Sequence, residues 1–316
     1  MKMSFEVFLV VAETLSITKA AQRLHVTQQC ASDHIRRLEA EYQVQLFERK
    51  PRFMLTPAGK SMLESLQSIR TMEMDMERNL QEMSNGEKGS FSLGISTSRA
   101  PLLLPGVLSR YYRDYPNVSV SFIEEDTFFL EKRLLEGNLD LFIGINTTPN
   151  PDYDIHFVTY DRIVLIAPLS LLKQHFSDSE ILDMVTGVDL SRMTELPFTL
   201  ARTAGKVTHV IWEYLNSNNI RLNVVYNVSD SRTQTNICST GICAALCPIM
   251  LLDSAYEYNS HCPPENRLMM FPINGFDHDL RVDLVTRKNA IYPKYLHHFI
   301  QIVKDELPRL CDRNLS

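Results

Sequence analysis

The 316 residues contain no run of roughly eighteen apolar residues, the length from which a membrane-spanning helix is suspected. The opening Met1-Lys2-Met3-Ser4-Phe5-Glu6 places an acid within six residues and offers no small-residue cleavage site, so no secretory leader is expected. The reading is a cytoplasmic chain without a membrane partner. Catalytic signatures are missing too. The nine histidines form no H-E-x-x-H, and neither a G-x-S-x-G elbow nor a phosphate-binding loop occurs. His297 and His298 are adjacent, and on a helix neighbours point about 100° apart, which is poor for shared chelation. An enzyme is therefore not expected, nor a catalytic residue, a cofactor or a metal site. The six cysteines (30, 238, 243, 247, 262 and 311) include no C-x-x-C pair and do not resemble a disulfide framework. Cys238, Cys243 and Cys247 fall within ten residues. That leaves a metal or redox role open beside the plainer reading of small fillers in a buried segment.

What is present is an uneven distribution of charge. The net formal charge is −6, yet residues 1–60 hold nine Lys and Arg against six Asp and Glu, while the remainder holds 23 against 32. A head of +3 on a body of −9 is the asymmetry expected when one end touches a polyanion.

In that head Phe5, Val7, Phe8, Val11 and Ala12 recur at helical spacing and predict a helix ending near Glu13-Thr14. Ser16 stands as N-cap for a second helix from Ile17 to Leu24, in which Ala20-Ala21 lets a neighbouring helix cross closely. His25-Val26 makes the turn, and Thr27 caps a third helix from Gln28 to Ala40. Its inner face is Ala31, Ile35 and Leu38. Its outer face carries Gln28, Gln29, Ser32, Asp33 and Arg36, side chains suited to base edges and phosphates in a major groove. Val44–Arg49 and Phe53–Leu55 then predict two short strands around Lys50-Pro51-Arg52, a wing that brings Arg49 and Arg52 to phosphate or a minor groove.

The run Ser16-x-Thr18-x-Ala20-Ala21-x-x-Leu24-x-Val26-Thr27-Gln28, with Ser32-x-x-Ile35-x-x-Leu38-Glu39, Leu46-Phe47-Glu48-Arg49 and Leu55-Thr56-Pro57-Ala58-Gly59, resembles the LysR-type regulators without a gap. The resemblance implies backbone phosphate contacts at Ser16 and Thr18, and base or nearby backbone contacts at Gln28, Gln29 and Ser32. Arg49 and Arg52 would face the wing-side groove. Two positions depart from the family's usual residues: Gln29, often Pro or Ser, and Asp33, often basic or neutral. An acid facing phosphate costs affinity unless it accepts from a cytosine amino group, so Asp33 is expected to shape operator choice.

Thr56 caps a further helix with Pro57 at its first position, and no breaker follows until Asn85-Gly86. Met62, Leu66, Ile69, Glu73, Met76, Leu80 and Met83 step by three and four along it, a seam that wants another helix. In the resembled family this linker pairs two subunits antiparallel, which implies an inverted-repeat operator, a homodimer or homotetramer and contact with RNA polymerase. Beyond it, strands alternate with helices: Phe91–Ile95, Pro101–Tyr112, Val118–Phe122, Thr127–Glu136 and Leu139–Ile145, then a second unit opening at Leu196–Ala201. The βαβαβ order predicts a parallel sheet. Leu104-Pro105, Tyr115-Pro116-Asn117-Val118, Gly137-x-Leu139-Asp140 and Gly241…Pro248 resemble the family's two-lobed, periplasmic-binding-protein-like effector domain, except that Cys243 stands where a second Gly is common.

The expected architecture is thus α/β multidomain. A winged helix-turn-helix covers 1–58, a linker helix 59–86 and an effector-binding domain 90–316, with lobe I at about 90–166 and 272–316 and lobe II at about 167–271. Ligands of α/β sheets collect at the carboxyl ends of strands. That rule selects Ser96, Thr97, Ser98 and Arg99 after the first strand, Asn146-Thr147-Thr148 after the third, and Arg202-Thr203 in the second lobe. Hydroxyls at a helix N-terminus with two arginines nearby suit an anionic effector such as a carboxylate, sulfate or phosphate. Two rivals stand beside a DNA-binding regulator with a small effector. One is an enzyme. The other is a thiol-redox regulator of the same fold, since Cys238 and Cys247 are nine apart as in peroxide-sensing members, whose pair however lies in the segment that is here Arg202–Val210, which has no Cys.

Overall fold

The computed structural model describes residues 1–48, 52–85, 88–201, 205–228, 230–276 and 280–311. Its contacts divide the chain into two compact units: Met1–Gly86 with Leu135–Asn138 and Asn289–Pro293, and Glu87–Leu134 with Leu139–Lys288 and Lys294–Ser316. Among the described residues no helix is long and apolar enough to cross a membrane.

In the first unit, helices α1 (Met3–Thr14), α2 (Ile17–Arg23) and α3 (Gln28–Tyr42) close on Val7, Phe8, Val11, Ala20, Ala21, Ala31, Ile35 and Leu38, all buried. The caps are those expected. The Lys19 N–H donates to Ser16 Oγ at 3.3 Å and the Cys30 N–H to Thr27 Oγ1 at 3.1 Å, each cap worth about 1 kcal/mol. Leu15 and Gln43 end α1 and α3 in the left-handed region, at φ 45° and 53°, turning the chain sharply after each helix. Strands β1 (Phe47–Glu48) and β2 (Met54–Leu55) pair antiparallel with Phe47 opposite Leu55. β1 starts later than the sequence predicts, because the chain before Phe47 is held by a side chain rather than by a partner strand. The Glu39 carboxylate accepts from the N–H of Leu46 at 2.9 Å and of Phe47 at 3.4 Å.

Helix α4 (Pro57–Asn85) starts on Thr56, whose Oγ1 accepts from the Gly59 N–H at 2.9 Å and donates to the Gln45 carbonyl at 2.6 Å. Its apolar seam divides. Met62 and Leu66 pack on the core of α1–α3, whereas Ile69, Met76 and Leu80 are exposed. The polar break at Glu73 meets the amino group of Met1 at 3.2 Å. Met83 lies outside the described side chains.

The second unit holds two five-stranded sheets. Chain order runs β3 (Gly89–Ile95), α5 (Ala100–Asp114), β4 (Val118–Glu124), α6 (Thr127–Leu135), β5 (Leu141–Ile145), β6 (Tyr153–Asp161), β7 (Ile163–Pro168), α7 (Leu169–His175), α8 (Asp178–Asp183), β8 (Pro197–Ala201), α9 (Lys206–Ser217), β9 (Asn223–Val228), α10 (Ser231–Cys238), β10 (Ala244–Pro248), α11 (Asp253–His261), β11 (Leu268–Pro272), β12 (Leu280–Arg287) and α12 (Lys294–Cys311). The first sheet is ordered β4-β3-β5-β12-β6 and the second β11-β7-β10-β8-β9.

The parallel sheet predicted from the βαβαβ run is only part of each. β3 runs parallel to β4 and β5, and β8 to β9 and β10, but β12 is antiparallel to β5 and β6, and β7 to β10 and β11. Strand β6 escapes the apolar pattern because it is an edge strand carrying Asp154, His156 and Thr159. The antiparallel strands have a shared origin: only Arg162 separates β6 in one sheet from β7 in the other, so the chain changes sheets there and returns between β11 and β12. The limit expected near residue 166 thus runs through β7, which belongs wholly to the second sheet. Phe142, Phe198, Phe271, Tyr295 and Phe299 anchor the cores of the two lobes, each fully buried and each worth about 1.5–3 kcal/mol on burial.

Candidate functional site

Helix α3 turns Ala31, Ile35 and Leu38 inward, and its spacing then leaves Gln28, Gln29 and Arg36 exposed with Ser32 and Asp33 half-buried. Thr18 on α2 and Arg52 beside β2 are exposed as well, and Ser16, half-buried, caps α2. Because the Ser16 oxygen accepts from Lys19, its own O–H proton is free to donate outward. Asp33 is not an isolated acid: Arg36 Nη1 lies 3.3 Å from its Oδ1, one turn later on the same helix. Arg49 lies outside the described residues. Arg37 is a further exposed cation on α3.

In the second unit a cavity of about 430 Å³ opens between the two sheets. It is walled by turns at the carboxyl ends of strands, where backbone groups are freed from the ladder. Ser96, Thr97, Ser98 and Arg99, between β3 and α5, all line it. The Ser96 and Ser98 hydroxyls lie 3.5 Å apart. Arg99 is buried at 3% exposure, with Nη2 at 3.3 Å from Oδ2 of the fully buried Asp161. Burial pushes the Asp161 carboxyl up, against the opposing pull of Arg99 and of the Met250 N–H, which donates to its Oδ1 at 3.1 Å. The expected open arginine is therefore half spent on a buried ion pair.

Thr147 lies off this wall. Its N–H donates to Asp283 Oδ2 at 3.1 Å, and its carbonyl accepts from Arg281 Nη2 at 2.9 Å. The turn after β5 rejoins the antiparallel β12, so its backbone groups serve that pairing, while Thr147 Oγ1 is buried without a hydrogen-bond partner among the described residues. Thr148 contributes only indirectly, by accepting from Lys206 Nζ at 2.9 Å. Arg202 and Thr203 lie outside the described residues.

The sequence reading missed Glu125, Asp126, Lys206, Trp212 and Ser231, which also line the cavity. Glu125, Asp126 and Ser231 follow β4 and β9, so the rule that selected Ser96 would have found them if applied to every strand. Trp212 sits a turn and a half into α9, and only the fold brings it there. Glu125 is spoken for. Arg133 grips it with Nε at 2.7 Å and Nη2 at 2.6 Å, and that hydrogen bonding holds its carboxyl below the usual range.

Cys238, Cys243 and Cys247 lie in the core of the second lobe, all fully buried. The hydrogen bond between Cys238 and Cys243, together with burial, holds the Cys238 thiol up, and burial pushes that of Cys247 up to about 12. Both stay thiols at neutral pH, the less reactive form.

A family description of bacterial regulatory helix-turn-helix proteins of the lysR family matches residues 3–60, and one of the LysR substrate binding domain matches residues 84–308. Among curated relatives, the HTH-type transcriptional regulator AlsR of Bacillus subtilis is 30% identical over 238 residues, covering 74% of this chain and 76% of its own. YtlI of the same organism, an HTH-type transcriptional regulator, is 23% identical over 310 residues, covering 98% and 93%. Among solved structures, a full-length OxyR variant of Pseudomonas aeruginosa superposes with a TM-score of 0.66 at 19% identity, covering 99% of this chain and 96% of that one. Full-length CbnR complexed with its target DNA gives 0.58 at 20%, covering 97% and 100%. With both of its domains matched over these spans, the chain belongs to the lysR family of bacterial regulatory helix-turn-helix proteins.

Proposed function

We propose that this chain is a sequence-specific transcriptional regulator, acting in the cytoplasm, that reads an inverted repeat in double-stranded DNA through α3. A small effector in the cavity between the sheets modulates it. The observation that carries the reading is the division of α3 into a buried Ala31-Ile35-Leu38 seam and an outward row of Gln28, Gln29 and Arg36. Such a row on a capped helix fits a major groove, with Ser16, Thr18 and Arg52 in reach of phosphate. Ser32 and Asp33 add the specificity-bearing polar groups, and Arg49 would join the wing contacts. The domain limits 1–58, 59–86 and 90–316 give each task its own segment. The exposed half of the α4 seam supports pairing of two copies into a dimer or a tetramer, which would set two α3 helices on two half-sites. The DNA-bound assembly would act on RNA polymerase at the promoter.

The polar turns around the cavity support an effector site there, with Ser96, Thr97, Ser98 and Arg99 as its members on the wall; Thr147 behind it, and Arg202 and Thr203 outside the described residues, are proposed for the same site. The test is footprinting on the DNA flanking the protein's own gene, with and without a library of small metabolites that shift its thermal midpoint. A protected inverted repeat, altered by a stabilising compound, is the expected result. Protection independent of sequence would reject the operator reading, and a footprint that no stabilising compound alters would reject the effector.

A further inference from the structure

The cavity between the sheets carries unmatched groups of both signs. Of its acids, Glu125 is held by Arg133, and Asp230 accepts from the Thr233 N–H at 2.9 Å and its hydroxyl at 2.8 Å. Of its cations, Lys206 donates to Thr148 and lies 3.9 Å from Glu131. Two groups are left over. Asp126 is half-buried, standing against Gly205, and its carboxylate has no hydrogen bond or ion pair among the described residues. Arg99, 3% exposed, gives one Nη to Asp161, while its Nε is buried with no partner among the described residues. An unpaired buried donor on a charged group is costly, and it leaves the Arg99 charge only partly matched behind the cavity wall.

The two unmatched groups are neighbours by topology. Ile95 of β3 stands opposite Glu124 of β4, and the Glu125 N–H donates to the Ile95 carbonyl at 3.2 Å. Ser96–Arg99 and Asp126 therefore leave two adjacent strands side by side, and strands lie about 4.8 Å apart. Opposite charges on neighbouring turns of one cavity wall fit a molecule that itself carries both a carboxylate and an ammonium. Ile143, Ile145, Leu200 and Leu246 supply an apolar floor, and Phe129 and Trp212, both partly exposed, supply aromatic faces. Such faces accept either an apolar side chain or an ammonium.

We propose that the effector is a zwitterion of the α-amino acid type with an apolar side chain. Its carboxylate sits on the Ser96 and Ser98 hydroxyls with the Arg99 guanidinium behind them, its ammonium on Asp126, and its side chain on the floor between the sheets. The proposal rests on the reading of this cavity as the effector site, and it replaces a purely anionic ligand by one that is neutral overall.

Trp212 is the chain's single tryptophan and lines this cavity, so its fluorescence reads a ligand bound there. The full-length protein is titrated with the common L-amino acids and, for those with apolar side chains, with the matching decarboxylated amine and deaminated acid. Leucine, 3-methylbutylamine and 4-methylpentanoate form one such trio. A saturable change from at least one amino acid is expected, with both truncated partners at least tenfold weaker. Asp126→Asn should weaken the amino acid at least tenfold and leave the deaminated acid unchanged. Binding of the deaminated acid as tightly as its amino acid, or indifference to Asp126→Asn, overturns the zwitterion and keeps the effector cavity. So does a response confined to library compounds outside these three classes. A fluorescence unmoved by every compound overturns both.

Discussion

Arg99 Nη2 lies 3.3 Å from Asp161 Oδ2, a buried pair of the first lobe at the point where the chain changes sheets. Arg99 opens α5 in the first lobe. Asp161 ends β6 and, through its other oxygen, holds the Met250 N–H beyond β10 in the second. Asp161→Ala strands a buried guanidinium and should cost about 3–5 kcal/mol. Replacing both partners, Arg99→Met with Asp161→Leu, should recover much of that loss. Urea unfolding of the single and double variants measures it, and equal losses in both would show that the pair is not the cause.

Asp33 and Arg36 form an exposed pair at 3.3 Å on α3. Asp33→Arg removes the acid and adds a cation on the side of α3 proposed to face DNA. General affinity should rise and sequence preference relax, with the salt dependence of binding steepening by about one to two phosphate contacts. Binding series on matched and mismatched operators across a salt range read both. Unchanged discrimination would assign Asp33 no part in operator choice.

On α4, Ile69, Met76 and Leu80 are exposed at 43%, 55% and 56%. Replacing all three by Lys should leave the folding of one chain within about 0.5 kcal/mol per site, yet abolish association through the seam. Sedimentation equilibrium should then find monomers, and footprinting should find protection reduced to single half-sites. An unchanged mass would mean that another surface joins the copies.

Gly59 sits where a methyl group would run into the Leu46 carbonyl oxygen and within 2.9 Å of a Leu55 methyl. Gly59→Ala therefore pushes α4 away from the base of the wing. A loss of about 1–3 kcal/mol is expected, seen as a lowered midpoint of the first thermal transition and weaker DNA binding. The cavity should still respond to ligand in Trp212 fluorescence.

His156 on β6 lies 3.3 Å from Thr286 Oγ1, and burial, reinforced by Lys304 and opposed by Asp154, lowers its pKa. The unfolded chain therefore binds this proton more readily than the folded one, so stability falls as pH drops through the ordinary histidine value of about 6.5. His156→Gln should flatten that part of the profile of urea midpoint against pH. The same slope in the variant would place its origin in another group.

The DNA-contacting head was legible because its determinants are local. Ser16, Thr27 and Thr56 cap helices within three residues of themselves, and Ala31, Ile35 and Leu38 mark a face by spacing alone. The same locality made the strands and helices of the body readable, and it identified Ser96–Arg99 as cavity residues. It could not set the direction of β6, β7, β11 and β12, since strand pairing is decided by partners far away in sequence, as when Leu284 faces Ile143.

The tertiary structure alone decided where the polar groups spend their hydrogen bonds. Thr147, which by position looks like Ser96, gives its backbone N–H to Asp283 and its carbonyl to Arg281, and lies off the cavity wall. Arg99 is partly neutralised by Asp161, 62 residues on, while Asp126 is left without a partner among the described residues. A sequence declares which groups are charged. Burial and long-range pairing determine which of those charges are still unmatched when the chain has folded, and those are the groups left for a ligand.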